Sequence, residues 1–387
     1  MDRKEFLKMC GLLGIGLPVQ ASISACSDDN QSSSTFEGKV LIIGAGAAGM
    51  ASAYLLHQRG IDFEVLEASP TYGGRMKRTN DFVDFPVPLG AEWLHVERGV
   101  FKEVINDPNV NIDVQTTPYD NDNDYALFEG MQISTEDVGF TIDQKFIGGS
   151  WFDFFETYIL PSIADKIKYE HVVTAIEYSG ERVLVDTNQG QLIGDKVIVT
   201  IPVKMMQRNS ISFNPALPSD KVSALESVTV WDGCKAFIEF SSKFYPTFVA
   251  FDIRPASAGQ KLYYDASYGQ NSNRHVLGLF AVGTGTLPYV NLSDEDLIAY
   301  MLDELDGIFE DQASANYIQH IFQNWNEEPY IGGAYITDQE NWRRVRTLGE
   351  PVGDKLFFAG CSYTDGEDWS SVHTAARSAI RAVEMLV

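Results

Sequence analysis

Basic side chains are scarce in this chain: its 387 residues include 29 Lys and Arg against 54 Asp and Glu, a formal charge of −25 at pH 7. Phosphate recognition needs clustered Lys and Arg, so nucleic-acid binding is excluded. Excess acid either concentrates cations near the surface or simply maintains solubility. Cysteine is sparse too, with four residues. Cys10 and Cys26 fall near the N-terminus, and Cys234 and Cys361 stand too far apart to make a disulfide framework, so they are expected as two small buried thiols. Long apolar runs are also missing. Met9 to Val19 is mostly apolar but too short to span a bilayer, and no other stretch is long enough. What is left is an ordinary globular composition, over a length that allows two or three domains.

Arg3 and Lys4 precede the apolar stretch, so residues 1–25 read as a signal peptide. Arg3-Lys4-Glu5-Phe6-Leu7-Lys8 resembles a twin-arginine export signal with Lys at the second basic position; the general secretory route stays open. Ile23-Ser24-Ala25-Cys26 resembles a bacterial lipobox, which implies a lipid on Cys26 and an exported chain anchored to a membrane on the periplasmic or cell-surface side. Residues 26–38 are polar and without period, a flexible tether.

The chain is organised around Lys39 to Met76. Val40 to Ile43 is a short β-branched run bounded by glycine, the pattern of a buried parallel strand. It opens into Gly44-Ala45-Gly46-Ala47-Ala48-Gly49, a helix from about Ala47 to Arg59 stopped by Gly60, and a second strand, Phe63 to Leu66, ending on Glu67 and Ala68. Gly44 permits the tight turn, Gly46 lets the backbone approach a pyrophosphate, and Gly49 lets helix pack on strand. The phosphates would sit on unpaired N–H groups at the helix N-terminus. Glu67 stands where an acid accepts hydrogen bonds from a ribose diol and repels a 2′-phosphate, so FAD or NAD fits and NADP does not.

Further on come Gly73-Gly74-Arg75-Met76 and Leu89-Gly90-Ala91-Glu92-Trp93-Leu94-His95. With the fingerprint, these segments resemble the flavin-containing amine oxidases, the monoamine and polyamine oxidases. The resemblance implies FAD, with Arg75 steadying its pyrophosphate and Gly90, Ala91, Glu92 and Trp93 beside the isoalloxazine ring. Val173, with Ile176 three residues on, fills the pattern that touches adenine. Lys235, in Trp231 to Phe248, matches the family lysine that holds a water against flavin N5; an edge-strand surface lysine is the alternative. Asn324-Trp325-Asn326-Glu327-Glu328-Pro329-Tyr330-Ile331-Gly332-Gly333-Ala334-Tyr335 resembles the monoamine oxidase segment whose cysteine bonds the flavin. Ala334 stands in that cysteine's place, so the FAD is expected to be held non-covalently, with Trp325 among its contacts. Tyr335 matches one wall of the family's aromatic cage, and Ser371 replaces the other. Cys361 follows Gly360 where the family carries a glutamate for the ribityl chain. The N–H of Val372, opening the last helix, would face flavin O2. Glu92 and His95 are expected to bind a distal ammonium.

Elsewhere, Tyr119 to Tyr125 reads as a surface loop, and residues from about 150 to 167 as one helix. Residues 172–178 and 182–186 read as a hairpin-like unit turned at Gln189-Gly190, followed by a buried strand, Lys196 to Ile201. Ser293 caps a helix to Phe309.

The expected fold is α/β: a Rossmann-like FAD-binding domain from 39–98, 168–230 and 350–387, and a discontinuous α+β substrate domain from 99–167 and 231–349. The implied reaction is oxidation of an amine beside its nitrogen. Hydride passes to flavin N5 and O2 re-oxidises the flavin, with imine or aldehyde and hydrogen peroxide as products. A polyamine or diamine is the first substrate expected. An amino-acid oxidase, a C–C desaturase on the same scaffold, or a non-catalytic flavin-binding lipoprotein remain open, and no metal site is foreseen. An amino-acid oxidase would need a cavity arginine for the carboxylate, with Arg254, Arg343 and Arg344 as candidates.

Overall fold

The computed structural model describes residues 36–119, 125–127, 143–251, 258–337, 341–366 and 370–387. The expected signal peptide, Cys10, Cys26 and nearly all of the tether lie outside the described residues. Lys39–Ile43 forms the strand anticipated from its β-branched run, followed by the helix Ala47–Gln58 and the strand Asp62–Leu66. These strands belong to a five-stranded parallel sheet, ordered 356–358, 196–199, 39–43, 62–66, 167–168. Alternation sorts the central strand: Val40 and Ile42 enter one apolar cluster with the helices Ala47–Gln58 and Val372–Leu386, and Leu41 and Ile43 enter another. Both faces are covered, as a parallel sheet requires.

From Lys39–Ile43 the chain crosses to Asp62–Leu66 on one side, and its other neighbour, Lys196–Val199, arrives much later in sequence. The order reverses there, and the crevice outside the strand ends at such a reversal is where α/β sheets bind ligands. The glycine loop stands in that crevice. A six-stranded sheet, ordered 317–324, 233–240, 275–283, 259–265, 248–250, 125–127, supplies the opposite wall. A three-stranded sheet of Trp93–Leu94, Gln144–Phe146 and Thr116–Pro118 lies beside it.

The hairpin forms as read, with Val173–Glu177, Val183–Thr187 and Gly190–Gly194 in antiparallel register, and Ser293 caps Asp294–Phe309 by accepting from Asp296 N. Two expectations change. The single helix over 150–167 ends at Tyr158; Pro161 opens a short second helix, Leu160–Ile163, and Ile167–Lys168 becomes the edge strand of the parallel sheet. Proline lacks the N–H that the preceding turn would need and crowds the carbonyl four residues back, so one helix could not continue. The loop over Tyr119 to Tyr125 is also revised, although residues 120–124 are outside the described set. Tyr119 is buried, its hydroxyl accepting from Trp93 Nε1 at 2.8 Å, and Tyr125–Leu127 is a strand parallel to Phe248–Ala250.

Candidate active site

Two of the glycines explain the shape of the loop. A Cβ on Gly49 would overlap the carbonyl oxygen of Gly44, so only glycine lets the helix start this close to the strand. A Cβ on Gly46 would meet nothing within 4 Å; the space it would fill belongs to a cavity of about 520 Å³. Glu67 closes the loop from below. Its Oε2 accepts from Ala45 N at 2.6 Å and its Oε1 from Ser69 N at 2.8 Å.

The cavity runs from Glu67, Ala68 and Val173 along Gly44, Gly46, Ala48 and Gly74 to the strand that carries Lys235. The flavin and substrate contacts named from the sequence line it, except Gly49, whose part is the helix–strand contact, and Ile176, which is buried in the core. Arg75 reaches Cys361 Sγ at 3.3 Å, so the residue in the usual glutamate's place touches the arginine of the glycine-rich turn. Trp325 donates to Leu89 O at 3.0 Å and closes on Gly90, where a Cβ would press on its ring. Ala334 and Tyr335 are tied to Trp231 by backbone hydrogen bonds of 2.8 and 2.9 Å. Cys234 and Cys361 are free and buried, and burial pushes the Cys234 thiol up to about 12. Ser371 is a helix cap: its Oγ accepts from Thr374 N at 3.1 Å, leaving Val372 as the first residue of Val372–Leu386.

The far end is built from charge. Gly233–Phe240 is an interior strand, paired on both sides and buried throughout, so the edge-strand alternative for Lys235 falls away. Lys235 is 3% exposed. Its Nζ lies 2.5 Å from Glu92 Oε2 and 3.3 Å from Pro88 O, and 5.1 Å from the centre of the Trp93 ring. Glu92 lines the cavity, but both of its carboxylate oxygens already have partners within the protein. Its Oε1 binds Lys145 Nζ at 2.7 Å, and Tyr264 donates to the same Oε2 that binds Lys235. Burial alone would raise the Glu92 carboxyl, but the two ammonium groups more than reverse it and bring it to about 2. Burial holds Lys235 below the usual lysine range, Glu92 opposes that, and Lys145 adds to it. Burial first, then Glu92, drives the Tyr264 phenol well above its ordinary value. His95 lines the same end with Nδ1 3.0 Å from Asp143 Oδ1, so Asp143 orients its ring.

Sequence reasoning missed Lys145, Tyr264 and Asp143. Lys145 and Asp143 sit in a stretch with few clear periods, and nothing in the pattern ties either to the Glu92 segment. Tyr264 carries a signal only in retrospect, as one of two adjacent tyrosines on a strand. Arg75 is the one arginine lining the cavity among the described residues; Arg343 and Arg344 lie on the helix Trp342–Gly349 away from it, and Arg254 is outside the described set.

A parallel sheet reversing at a glycine loop over an elongated cavity defines the class, a Rossmann-like dinucleotide-binding protein. A family profile for an NAD(P)-binding Rossmann-like domain matches residues 42–107, and one for flavin containing amine oxidoreductases matches residues 159–387. The chain belongs to the flavin containing amine oxidoreductase family. Its relatives include lysine-specific histone demethylase 1B of Mus musculus, 24% identical over 83% of this chain and 49% of that protein. A probable polyamine oxidase 4 of Arabidopsis thaliana is 24% identical over 85% of this chain and 83% of that protein. The chain thus spans about half the length of the histone demethylase. Among solved structures, wild-type putrescine oxidase bound to putrescine superposes with a TM-score of 0.70 at 15% identity, covering 90% of this chain and 98% of that one. At that identity the likeness concerns the fold.

Proposed function

We propose that this chain is an oxidoreductase that holds FAD non-covalently and oxidises a diamine or polyamine at the carbon beside nitrogen, with O2 as electron acceptor. The observation that carries the reading is the buried Lys235 at one end of a cavity that runs past the open Gly46 cradle. The residues fit the group. Glu67 and Val173 would hold the adenosine end, Gly44, Gly46, Gly74 and Arg75 the pyrophosphate, and Gly90, Trp325 and Val372 the ring. Bound FAD supplies the hydride acceptor and the route of electrons to O2, giving hydrogen peroxide.

The chain's own residues do the rest. An ammonium has three donors. Lys235 directs two to Glu92 and Pro88, and faces the cavity, where a water held by the third would stand beside the reacting atoms. The substrate nitrogen must be neutral before the adjacent C–H bond breaks. His95, oriented by Asp143, is the imidazole at the Lys235 end of the cavity and would accept that proton. Tyr335, which lines the cavity and is backed by Trp231 with ring centres 6.2 Å apart, offers an apolar face to align the amine. The names of the polyamine oxidase and putrescine oxidase relatives support a diamine or polyamine. Ala334, in the place of the flavin-bonding cysteine, supports non-covalent attachment.

The test is anaerobic. Putrescine, spermidine, spermine, monoamines and amino acids are added in turn to the purified yellow protein, and the flavin band is followed. Diamines or polyamines should bleach it, and readmitted air should restore the colour with hydrogen peroxide. A colourless protein that cannot be loaded with FAD, or one that no amine bleaches, rejects the reading. Acid precipitation should release all the flavin. For localisation we propose export with a lipid on Cys26; Cys26→Ala should move the protein from the membrane to the soluble fraction.

A further inference from the structure

Glu92 is shared between two lysines, one on each oxygen, and all three residues are 3% exposed. Among the described residues no other carboxylate pairs with Lys145 or Lys235, so the ion-paired trio carries one excess positive charge. The two lysines are not equivalent. Lys235 lines the cavity, whereas Lys145 rises from the strand Gln144–Phe146 behind Glu92, its Nζ 5.6 Å from the centre of the Tyr264 ring. Resting on the FAD-dependent reading above, we propose that Lys145 is a positioning residue: by occupying Oε1 of Glu92 it aims Oε2 at Lys235 and leaves Lys235 as the excess cation on the cavity wall.

The surroundings of Lys235 leave this role to Lys145. On its own strand, Cys234 is a neutral thiol and Glu239 turns to Arg274. From the strand Gly259–Asp265 comes Tyr264, a neutral donor to Glu92. Tyr119 is likewise kept neutral by burial. From Tyr317–Asn324 comes Gln323, bonded to Glu328. Asp143 is directed at His95. The paired lysine Lys145 is therefore the second cation of the cluster. It repels the Lys235 proton that Glu92 retains, in line with the direction found for Lys235. Without Lys145, Glu92 and Lys235 would close into a neutral pair, binding that proton more tightly and weakening the positive field in the cavity.

Two readouts test this in the wild type, K145M and K145R. In flavin-free protein, trace acetic anhydride labels unprotonated Lys235, and peptide mass spectrometry follows the labelling against pH. K145M should raise the labelling midpoint by about one pH unit, tenfold in proton affinity, and K145R should keep the wild-type midpoint. In FAD-loaded protein, sulfite affinity reports positive charge beside the flavin and should fall about tenfold in K145M. A K145M protein that melts earlier but keeps the wild-type midpoint overturns the proposal and leaves Lys145 a structural counter-ion. A raised midpoint with unchanged sulfite affinity supports the coupling and instead removes Lys235 from the flavin. If K145M does not fold, Lys145→Gln, which keeps a donor for Glu92 Oε1 without the charge, should raise the labelling midpoint in the same direction. An unchanged midpoint there also overturns the proposal.

Discussion

The two ends of the cavity are made by different means. At the glycine end, one contiguous segment makes the cradle: strand, loop, helix and second strand follow in order, and the loop itself offers backbone groups, with Arg75 and Val173 added from outside it. At the lysine end, Glu92, Lys145, Lys235 and Tyr264 come from separate parts of the chain, and the groups offered are buried charges. The first end depends on space, the second on electrostatic balance. Each should therefore fail in its own way when altered.

The largest effect is expected at the charged end. Glu92→Gln leaves two buried ammonium groups without a carboxylate and should cost about 3–5 kcal/mol of stability, read by urea unfolding. The sign with pH follows from a carboxyl lowered to about 2 in the folded protein from an ordinary 4.5. The wild-type advantage over Glu92→Gln should be full above about 4.5 and lost as pH falls towards about 2. A difference that stays constant down to pH 2 would break the electrostatic account of this end.

Next comes Gly49→Ala. Its methyl would overlap Gly44 O, and the helix must shift at a cost of about 1–3 kcal/mol, checked by thermal unfolding. Lys235→Met should slow flavin reduction or re-oxidation by about tenfold or more, the scale of removing one polar interaction from a transition state, measured by stopped flow. Unchanged transient kinetics would remove its role. The smallest effect on stability belongs to Gly46→Ala, since the added methyl enters empty cavity. It should melt within about 0.5 kcal/mol of wild type yet bind FAD more weakly, measured by fluorescence titration. If Gly46→Ala and Gly49→Ala lowered stability equally, the division between cradle and packing glycine would be wrong.

The same division marks what can be read in the amino-acid order. Gly44, Gly46 and Gly49 have separable parts because turn, approach and packing are local demands, met within one strand–helix unit. The hairpin and the Ser293 cap are readable for the same reason. Lys235 stands out because an ammonium is costly on an apolar strand. Its partners do not stand out: Lys145 and Tyr264 reach Glu92 only after distant segments are brought together. Glu92 reads as a substrate contact from sequence because a carboxylate near an amine site invites it, and only the fold shows both oxygens engaged. The helix past Tyr158 differs from expectation because apolar spacing carries less weight there than Pro161.

Local backbone physics, carried in consecutive residues, determined the dinucleotide fingerprint, the strands and helix that flank it and the presence of a lone lysine on a strand. Tertiary structure alone decided the partners of that lysine, the second cation opposite it, the burial of Tyr119 and the edge strand at Ile167. The reason is the range of the forces involved. Turns and caps are settled by neighbours a few residues apart, whereas a buried charge is stable only where the whole fold delivers its counter-ion, and no short pattern records that delivery.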